Sequence, residues 1–265
     1  MITAMEMITS DQNRIYKTCV KLGMKKYRDK FGMYLVEGSK LVDEAFKAGQ
    51  AENIIVREDY HKQTDFPGVD TAFIMGKLYS KVAQTETSQG IMAIVRKPEM
   101  TAEAFLGRID EGRGNVVVLD GLQDPGNIGT IIRTADAAGY SGVLTVKGTG
   151  DVYSPKVVRS AMGSLFRIPV FNTDTPETAA ALLSRGGKKI VGTSLDAEKY
   201  YYEEDLSENI ALVIGNEGNG MSEDFKRRTC LNIKIPMSGE VDSLNAAVAA
   251  GVLMYQSIGK VKKNG

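Results

Sequence analysis

Asn127 and Arg133 stand close together in the stretch DPGNIGTIIRTADAAG (124–139), directly after the apolar run VVVLD. An amide can both donate and accept, and a guanidinium is a permanent cation with a fork of donors. Such a cation suits a phosphate. Glycines at 121, 126 and 129 between strand and helix raise a dinucleotide site as well, but their spacing does not fit GxGxxG. Ile128, Ile131, Ile132 and Ala135 recur at helical spacing and form one apolar stripe. At 100° per residue Arg133 lies roughly 150° from the centre of that stripe. It points away from its own core, as a solvated arginine, a phosphate ligand or a partner-facing residue. Asn127 is expected to cap the helix.

Two further loops carry unusual composition. IALVIGNEGNGMSEDF places Gly215, Gly218 and Gly220 after a buried strand, with Glu217 among them and Ser222 fitting a helix N-cap. Glycines there allow positive φ and close backbone approach. IKIPMSGEVDSLNAAVAAGVLMYQ ends a strand at Pro236, and Asp242 or Ser243 then starts a helix rich in Ala and Gly. With no charge from 243 to 259, that helix is apolar nearly all round and has to be covered on more than one side. Packing onto a sheet plus a subunit interface would do so.

These loops need a scaffold. Continuous apolar strands alternate with helical patterns from residue 115 onward, which predicts a parallel sheet covered on both faces. Ligands on such sheets bind beyond the carboxyl ends of the strands. Before residue 98 lies a smaller α/β pattern. A basic helix over about 11–27 leads to MYLVEG, then a helix capped at Ser39 and stopped at Gly49, with NIIVRE, TAFIM and IMAIVRK as strands. Residues 99–114 read as a linker with a short helix. The expected division is 1–98, 99–114 and 115–265.

The chain has 265 residues, 43% hydrophobic and 25% charged, with 33 basic and 33 acidic side chains. This composition suits a globular protein and gives no global attraction to nucleic acid. Charge is uneven, however. Residues 14–30, RIYKTCVKLGMKKYRDK, hold seven basic residues and one acid, either a solvated face or a patch that tracks a phosphate backbone. Cys19 and Cys230 lie far apart, without metal-ligand spacing, so neither a disulfide framework nor a metal site is expected and a reducing cytoplasm fits. No secretory leader or membrane span is read, GKVKKNG reads as a frayed tail, and Met1, Met5 and Met7 are alternative starts. The single histidine, His61, falls on a loop-like stretch of the first half.

Together, the three loops resemble the SpoU/TrmH family of RNA ribose 2′-O-methyltransferases, through Asn127 to Arg133, GNEGNG and IPMSGEVDSLNAAVA in that order. SPKVVRSAMGSLFRIPV has the same look. The first half resembles the L30e-like RNA-binding domain, through YLVEGSKLVDEA and TETSQGIMAIVRKPE. The resemblance implies a C-terminal parallel-sheet α/β domain of SPOUT type with a deep trefoil knot, although topology rules alone predict none. It implies S-adenosylmethionine near Thr193, Ser194, Leu195, Gly215, Asn216, Glu217, Ile235, Pro236, Met237, Leu244 and Asn245. It implies a homodimer, and RNA, most simply 23S ribosomal RNA, as substrate. RNA would meet Arg14, Lys17, Lys21, Lys25, Lys26, Arg28, Lys156 and Arg159. Transfer RNA as substrate, or a non-catalytic RNA-binding or ribosome-assembly protein, are the alternatives.

The catalytic set implied is Asn127, Arg133, Glu217, Ser243 and Asn245. Methyl transfer to a hydroxyl requires alignment and the loss of a proton. His61 lies in the other half, so the site is expected to work without histidine. The resemblance assigns Arg133 the basic role, but arginine stays protonated. The residues read better with Arg133 holding a phosphate or alkoxide, while the proton leaves through Asn127, water or Glu217. Ser243 and Asn245 would orient the glycine loop and the ribose. Tyr200–Tyr202 would pack in a core or a dimer, or stack on bases.

Overall fold

The computed structural model describes residues 6–62, 65–110, 114–239 and 243–259. Met1, Met5, Asp242 and the tail from residue 260 lie outside the described residues. By contact the chain forms two units, Met1–Glu99 with Tyr153–Phe166, and Met100–Val152 with Arg167–Gly265.

The first unit runs β1 (Glu6–Ile8), α1 (Arg14–Leu22), α2 (Lys25–Phe31), β2 (Met33–Glu37), α3 (Ser39–Lys47), β3 (Ala51–Arg57), β4 (Asp70–Ile74), α4 (Gly76–Val82) and β5 (Ile91–Arg96). Its sheet order is β1-β4-β3-β5-β2, with β5 antiparallel to both neighbours. The expected basic helix is two helices, because the chain breaks at Gly23 and Met24. Ser39 is the first residue of α3 rather than its cap. Its N–H and hydroxyl both donate to Gln89 Oε1, at 3.0 and 3.1 Å. Gly49 adopts φ 66° and ends the helix as expected.

The second unit continues with α5 (Ala102–Ile109), β6 (Val116–Asp120), α6 (Pro125–Ala137) and β7 (Gly142–Val146). The chain then forms α7 (Pro155–Ala161), which lies against β2 in the first unit. Returning, it makes β8 (Val170–Thr173), α8 (Pro176–Arg185), β9 (Lys189–Thr193), β10 (Lys199–Tyr200), β11 (Ile210–Gly215), α9 (Glu223–Lys226), β12 (Leu231–Lys234) and α10 (Ala246–Gly259). Seven strands, all parallel, lie in the order β10-β12-β9-β11-β6-β7-β8.

Every residue of β6 and β7 is buried, as continuous apolar strands require in a doubly covered sheet. On one face Val116 and Val118 pack with Phe105, Ile109 and Leu183 of α5 and α8. Alternation turns Val117 and Leu119 to the other face, and both are fully buried. From β6 the chain steps outward through β7 and β8. It then crosses back to β9, leaving a gap that β11 later fills. From β12, which lies between β10 and β9, it returns to pack α10 against α6 and β11. That return is consistent with the trefoil path that the family resemblance implies.

Candidate active site

Strands β6 and β11 are neighbours, and their last residues, Asp120 and Gly215, lie in register. The strand order departs to either side of this pair, so the loops beyond form the natural crevice of the sheet. Gly121 turns the chain at φ 73°. Asp124 then caps α6, with Oδ1 accepting from Asn127 N at 2.8 Å, and Pro125 takes the first helical position. Asn127 is therefore inside the helix and not its cap. An acid that accepts the N3 amide, followed by a proline whose ring already has helical φ, makes the stronger start.

Placed there, Asn127 links the other two loops. Its Nδ2 donates to Glu217 Oε1 at 3.2 Å, and its Oδ1 accepts from Asn245 Nδ2 at 2.9 Å. Glu217 Oε1 also accepts from Asp124 N at 3.0 Å, and Oε2 from Gln123 N at 3.2 Å. Asn245 Oδ1 in turn accepts from Ala247 N and Val248 N at 2.9 and 3.3 Å, capping α10. Ser243 is thus not the cap. It lies exposed just ahead of it. The direction of the chain is fixed by chemistry: an ionised carboxylate only accepts, so Asn127 must offer its NH2, and its oxygen is left for Asn245.

Burial pushes the Glu217 carboxyl up. The N–H bonds from its own backbone, Asp124 and Gln123, and then the Asn127 amide, outweigh that and hold its pKa below the usual 4.5. Glu217 is a fixed anion whose oxygens are both engaged. That is a brace, and a poor acceptor for a substrate proton.

The glycine loop is folded on itself. Asn216 and Gly220 exchange two backbone bonds of 2.9 Å, and Asn216 Oδ1 accepts from Gly218 N and Asn219 N. Asn216 Nδ2 donates to Gly121 O at 2.9 Å. Any Cβ on Gly215 would fall on the backbone of Gly220 and Met221, so only glycine fits. Asp120 Oδ2 accepts Ser222 N at 2.6 Å, and Ser222 caps α9 as expected. Asp120, Gln123 and Asp124 were not singled out by sequence. Only the Asp-Pro pair signalled a role for any of them.

Most of the residues expected around S-adenosylmethionine lie at or just beyond the ends of adjacent strands. Thr193, Ser194 and Leu195 leave β9, Gly215, Asn216 and Glu217 leave β11, and Ile235, Pro236 and Met237 leave β12. Leu244 and Asn245 precede α10. Leu195 and Leu244 are 59% and 38% exposed. The polar side chains of the set are engaged within the protein, Thr193 donating to Val213 O, Ser194 accepting from Asp196 N, and Asn216, Glu217 and Asn245 bonded as above, so the set offers apolar surface and main-chain polar groups. This chemistry fits a nucleoside sulfonium held by backbone contacts. Among the described residues no cluster of His, Cys, Asp or Glu is arranged to hold a metal ion.

Arg133 is exposed on α6, as its spacing implied, and makes no side-chain hydrogen bond or ion pair among the described residues. It lies about 9 Å further along the axis than Asn127 and about 120° around it. Its guanidinium does not join the Glu217–Asn127–Asn245 chain. His61 is exposed in the first unit.

Of the expected RNA contacts, Arg14, Lys17, Lys21, Lys25, Lys26 and Lys156 are exposed. Arg28 is not. Only 4% is accessible, and Nη1 donates to Leu22 O at 2.8 Å, because the break at Gly23 turns this face of α2 inward to cap α1. Arg159 is half-buried and donates to Gln84 O at 2.9 Å. Tyr200 and Tyr202 stack on each other, centroids 5.4 Å apart, and Tyr202 is exposed.

Residues 114–255 match the model of the SpoU rRNA Methylase family, and residues 13–93 match the MRM3-like substrate binding domain. The chain is 39% identical to the 23S rRNA (guanosine(2553)-2'-O)-methyltransferase RlmP of Bacillus subtilis, over 95% of this chain and 98% of that one. An AdoMet-bound rRNA methyltransferase from Sinorhizobium meliloti superposes with a TM-score of 0.84 at 30% identity, covering 97% of this chain and 98% of the other. The SpoU methyltransferase AviRb from Streptomyces viridochromogenes, in complex with AdoMet, does so with the same score at 28% identity, covering 96% and 100%.

Proposed function

The chain belongs to the SpoU rRNA methylase family, and from that premise we propose that it methylates a ribose 2′-hydroxyl of 23S ribosomal RNA with S-adenosylmethionine as donor. The observation that carries this reading is the Glu217–Asn127–Asn245 chain, which ties the three loops into one braced crevice at the carboxyl ends of β6 and β11. The likeness to the Bacillus subtilis enzyme makes a guanosine the first nucleotide to examine.

The cofactor, when bound, supplies an electrophilic methyl group on a sulfonium. The loops after β9, β11 and β12 would hold it, with Leu195 and Leu244 covering its apolar part. Glu217, Asn127 and Asn245 keep those loops in register, and Ser243 sits free to meet the ribose. Arg133, exposed and without a side-chain partner among the described residues, holds the RNA phosphate or the forming alkoxide. With Glu217 and the Asn127 amide both engaged, the hydroxyl proton passes to water.

The first half, 1–98, acts as the RNA substrate-binding domain and the later half as the catalytic domain. The α5 helix of the expected linker 99–114 belongs with the latter, because Phe105 and Ile109 are buried in its core, and Tyr153–Phe166 groups with the former. The exposed lysines of α1 and α2 track the RNA backbone. Two copies pair through α10, whose Val248 and Tyr255 are 53% and 52% exposed on an otherwise apolar helix. Among the described residues no helix is long and apolar enough to cross a membrane. A ribosomal RNA substrate would have the enzyme act in the cytoplasm.

The test is calorimetry with S-adenosylmethionine followed by labelled methyl transfer to unmethylated 23S rRNA. Digestion should return the label as a 2′-O-methyl nucleotide. A protein that binds no S-adenosylmethionine, or labels a base, is not this enzyme. Labelling of tRNA instead would shift the substrate.

A further inference from the structure

A second concave site lies in the first unit, away from the strand ends described above. It is a cavity of about 440 Å³ between α3 and the chain that follows β3, within the size of small-ligand sites. Three aromatic rings line it. Phe46 and Phe66 meet edge to face with centroids 5.4 Å apart, and Tyr60 joins them. All three are half-buried, so each keeps part of a face or edge open to solvent. Lys47 and Lys62 stand exposed at the same cavity, as do the carboxylates of Asp43 and Asp65. Burial, and after it the charge of Asp43, raise the pKa of the Tyr60 hydroxyl, which puts Asp43 beside that ring.

Each part has a counterpart in one ligand class. Unstacked RNA bases are held on aromatic faces and read along their Watson–Crick edges. A carboxylate accepts two parallel N–H bonds from guanine, at N1 and N2, whereas adenine, cytosine and uracil each offer fewer donors on that edge. Ammonium groups beside the rings neutralise the flanking phosphates. We propose that this cavity seats a single unstacked guanine base of the RNA substrate, one other than the methylated nucleotide. The base stacks against the Phe46–Phe66–Tyr60 cluster, its edge is read by Asp43, and Lys47 and Lys62 meet its phosphates. The inference rests on reading this unit as an RNA-binding domain. The charges at the cavity balance, so the choice of occupant rests on the aromatic faces beside a carboxylate, which match the face and the donor edge of one base, with two ammonium groups for its phosphates.

The experiment uses the full chain and three labelled pentaribonucleotides, UUGUU, UUAUU and UUUUU, read by fluorescence anisotropy. S-adenosylmethionine binding and methyl transfer to 23S rRNA are measured on the same preparations. UUGUU should bind about tenfold or more tighter than UUUUU, in line with one stacked and paired base. Phe66→Ala should abolish that preference. Asp43→Asn, an exposed change, should lower UUGUU to the level of UUAUU, and both variants should keep the wild-type circular dichroism and cofactor affinity. The inference is overturned if wild type shows no base preference, or if either folded variant binds UUGUU as wild type does. It is also overturned if Phe66→Ala releases an arginine-rich peptide and leaves the oligonucleotides untouched, since the cavity would then take protein. Absence of methyl transfer with the UUGUU preference intact would instead count against the enzymatic reading alone.

Discussion

Asn245 and Asn127 are joined side chain to side chain, Nδ2 to Oδ1 at 2.9 Å, across 118 positions of sequence. Asn127 passes the connection on to Glu217. An amide in the middle of such a chain has to donate on one side and accept on the other. Asn127→Asp should therefore fail doubly, facing Glu217 with a like charge and losing the donor. Because Asn127 is buried, we expect a cost of about 1–3 kcal/mol, read as a lowered denaturation midpoint. Asn127→Ala and Asn245→Ala should couple, the double variant losing about 0.5 kcal/mol or more less than the sum of the singles. Strict additivity would mean that the two amides do not act together.

Glu217 should titrate in acid and not in the working range of the enzyme. Its pKa is lower in the folded protein than the usual 4.5. Its contribution to stability is then fully present above the unfolded value and is lost as pH falls through the folded one. Glu217→Gln should melt below wild type at pH 7, and the gap should close as pH drops below 4.5. Between pH 6 and 9 the two single-turnover profiles should share their shape. A limb that vanishes with the substitution would make Glu217 a proton acceptor after all.

Gly215 leaves no room for a side chain against Gly220 and Met221. Gly215→Ala should open the glycine loop and cost about 1–3 kcal/mol as an overpacked site. Calorimetry should show S-adenosylmethionine binding strongly weakened. Wild-type affinity in the alanine variant would remove this loop from the cofactor site.

Much of this arrangement was legible in the sequence, for reasons that differ by element. VVVLD and IALVIG read as strands because their apolar residues are continuous, and the Ile128–Ile131–Ile132–Ala135 stripe left Arg133 outward. The start of α6 was misread because Asn127 is a good cap in isolation, while Asp124 with Pro125 is a better one three residues earlier. The start of α10 was misread for the related reason that Asn245 caps by the same chemistry as Ser243 or Asp242. Arg28 looked like its basic neighbours. Its inward turn depends on the break at Gly23, which shifts the helical phase. The bracing role of Glu217 was legible only as an alternative to chemistry, since the amides it accepts belong to a loop some ninety residues earlier.

The exposed apolar residues of α10 carry the proposed dimer. Wild type should sediment as a dimer, and Val248→Asp should sediment as a monomer with unchanged circular dichroism, because Val248 is 53% exposed within one copy. A wild-type monomer, or a dimer that tolerates the charge, would move the interface elsewhere.

Arg133 should matter for the rate more than for binding. Arg133→Lys keeps the charge and loses the fork, so the turnover rate should fall by about tenfold or more, with cofactor affinity unchanged. The basic limb of the single-turnover profile should stay where it is in wild type. If that limb moves with the substitution, Arg133 takes part in the proton step and does more than hold charge.

The central claim is tested most directly by mapping 2′-O-methyl groups on ribosomal and transfer RNA. The comparison is between cells with the protein, without it, and with only Arg133→Ala. The account predicts that one ribose methyl on 23S rRNA is lost without the protein, is restored by wild type and is not restored by the variant. Unchanged 23S rRNA in the absence of the protein would contradict it.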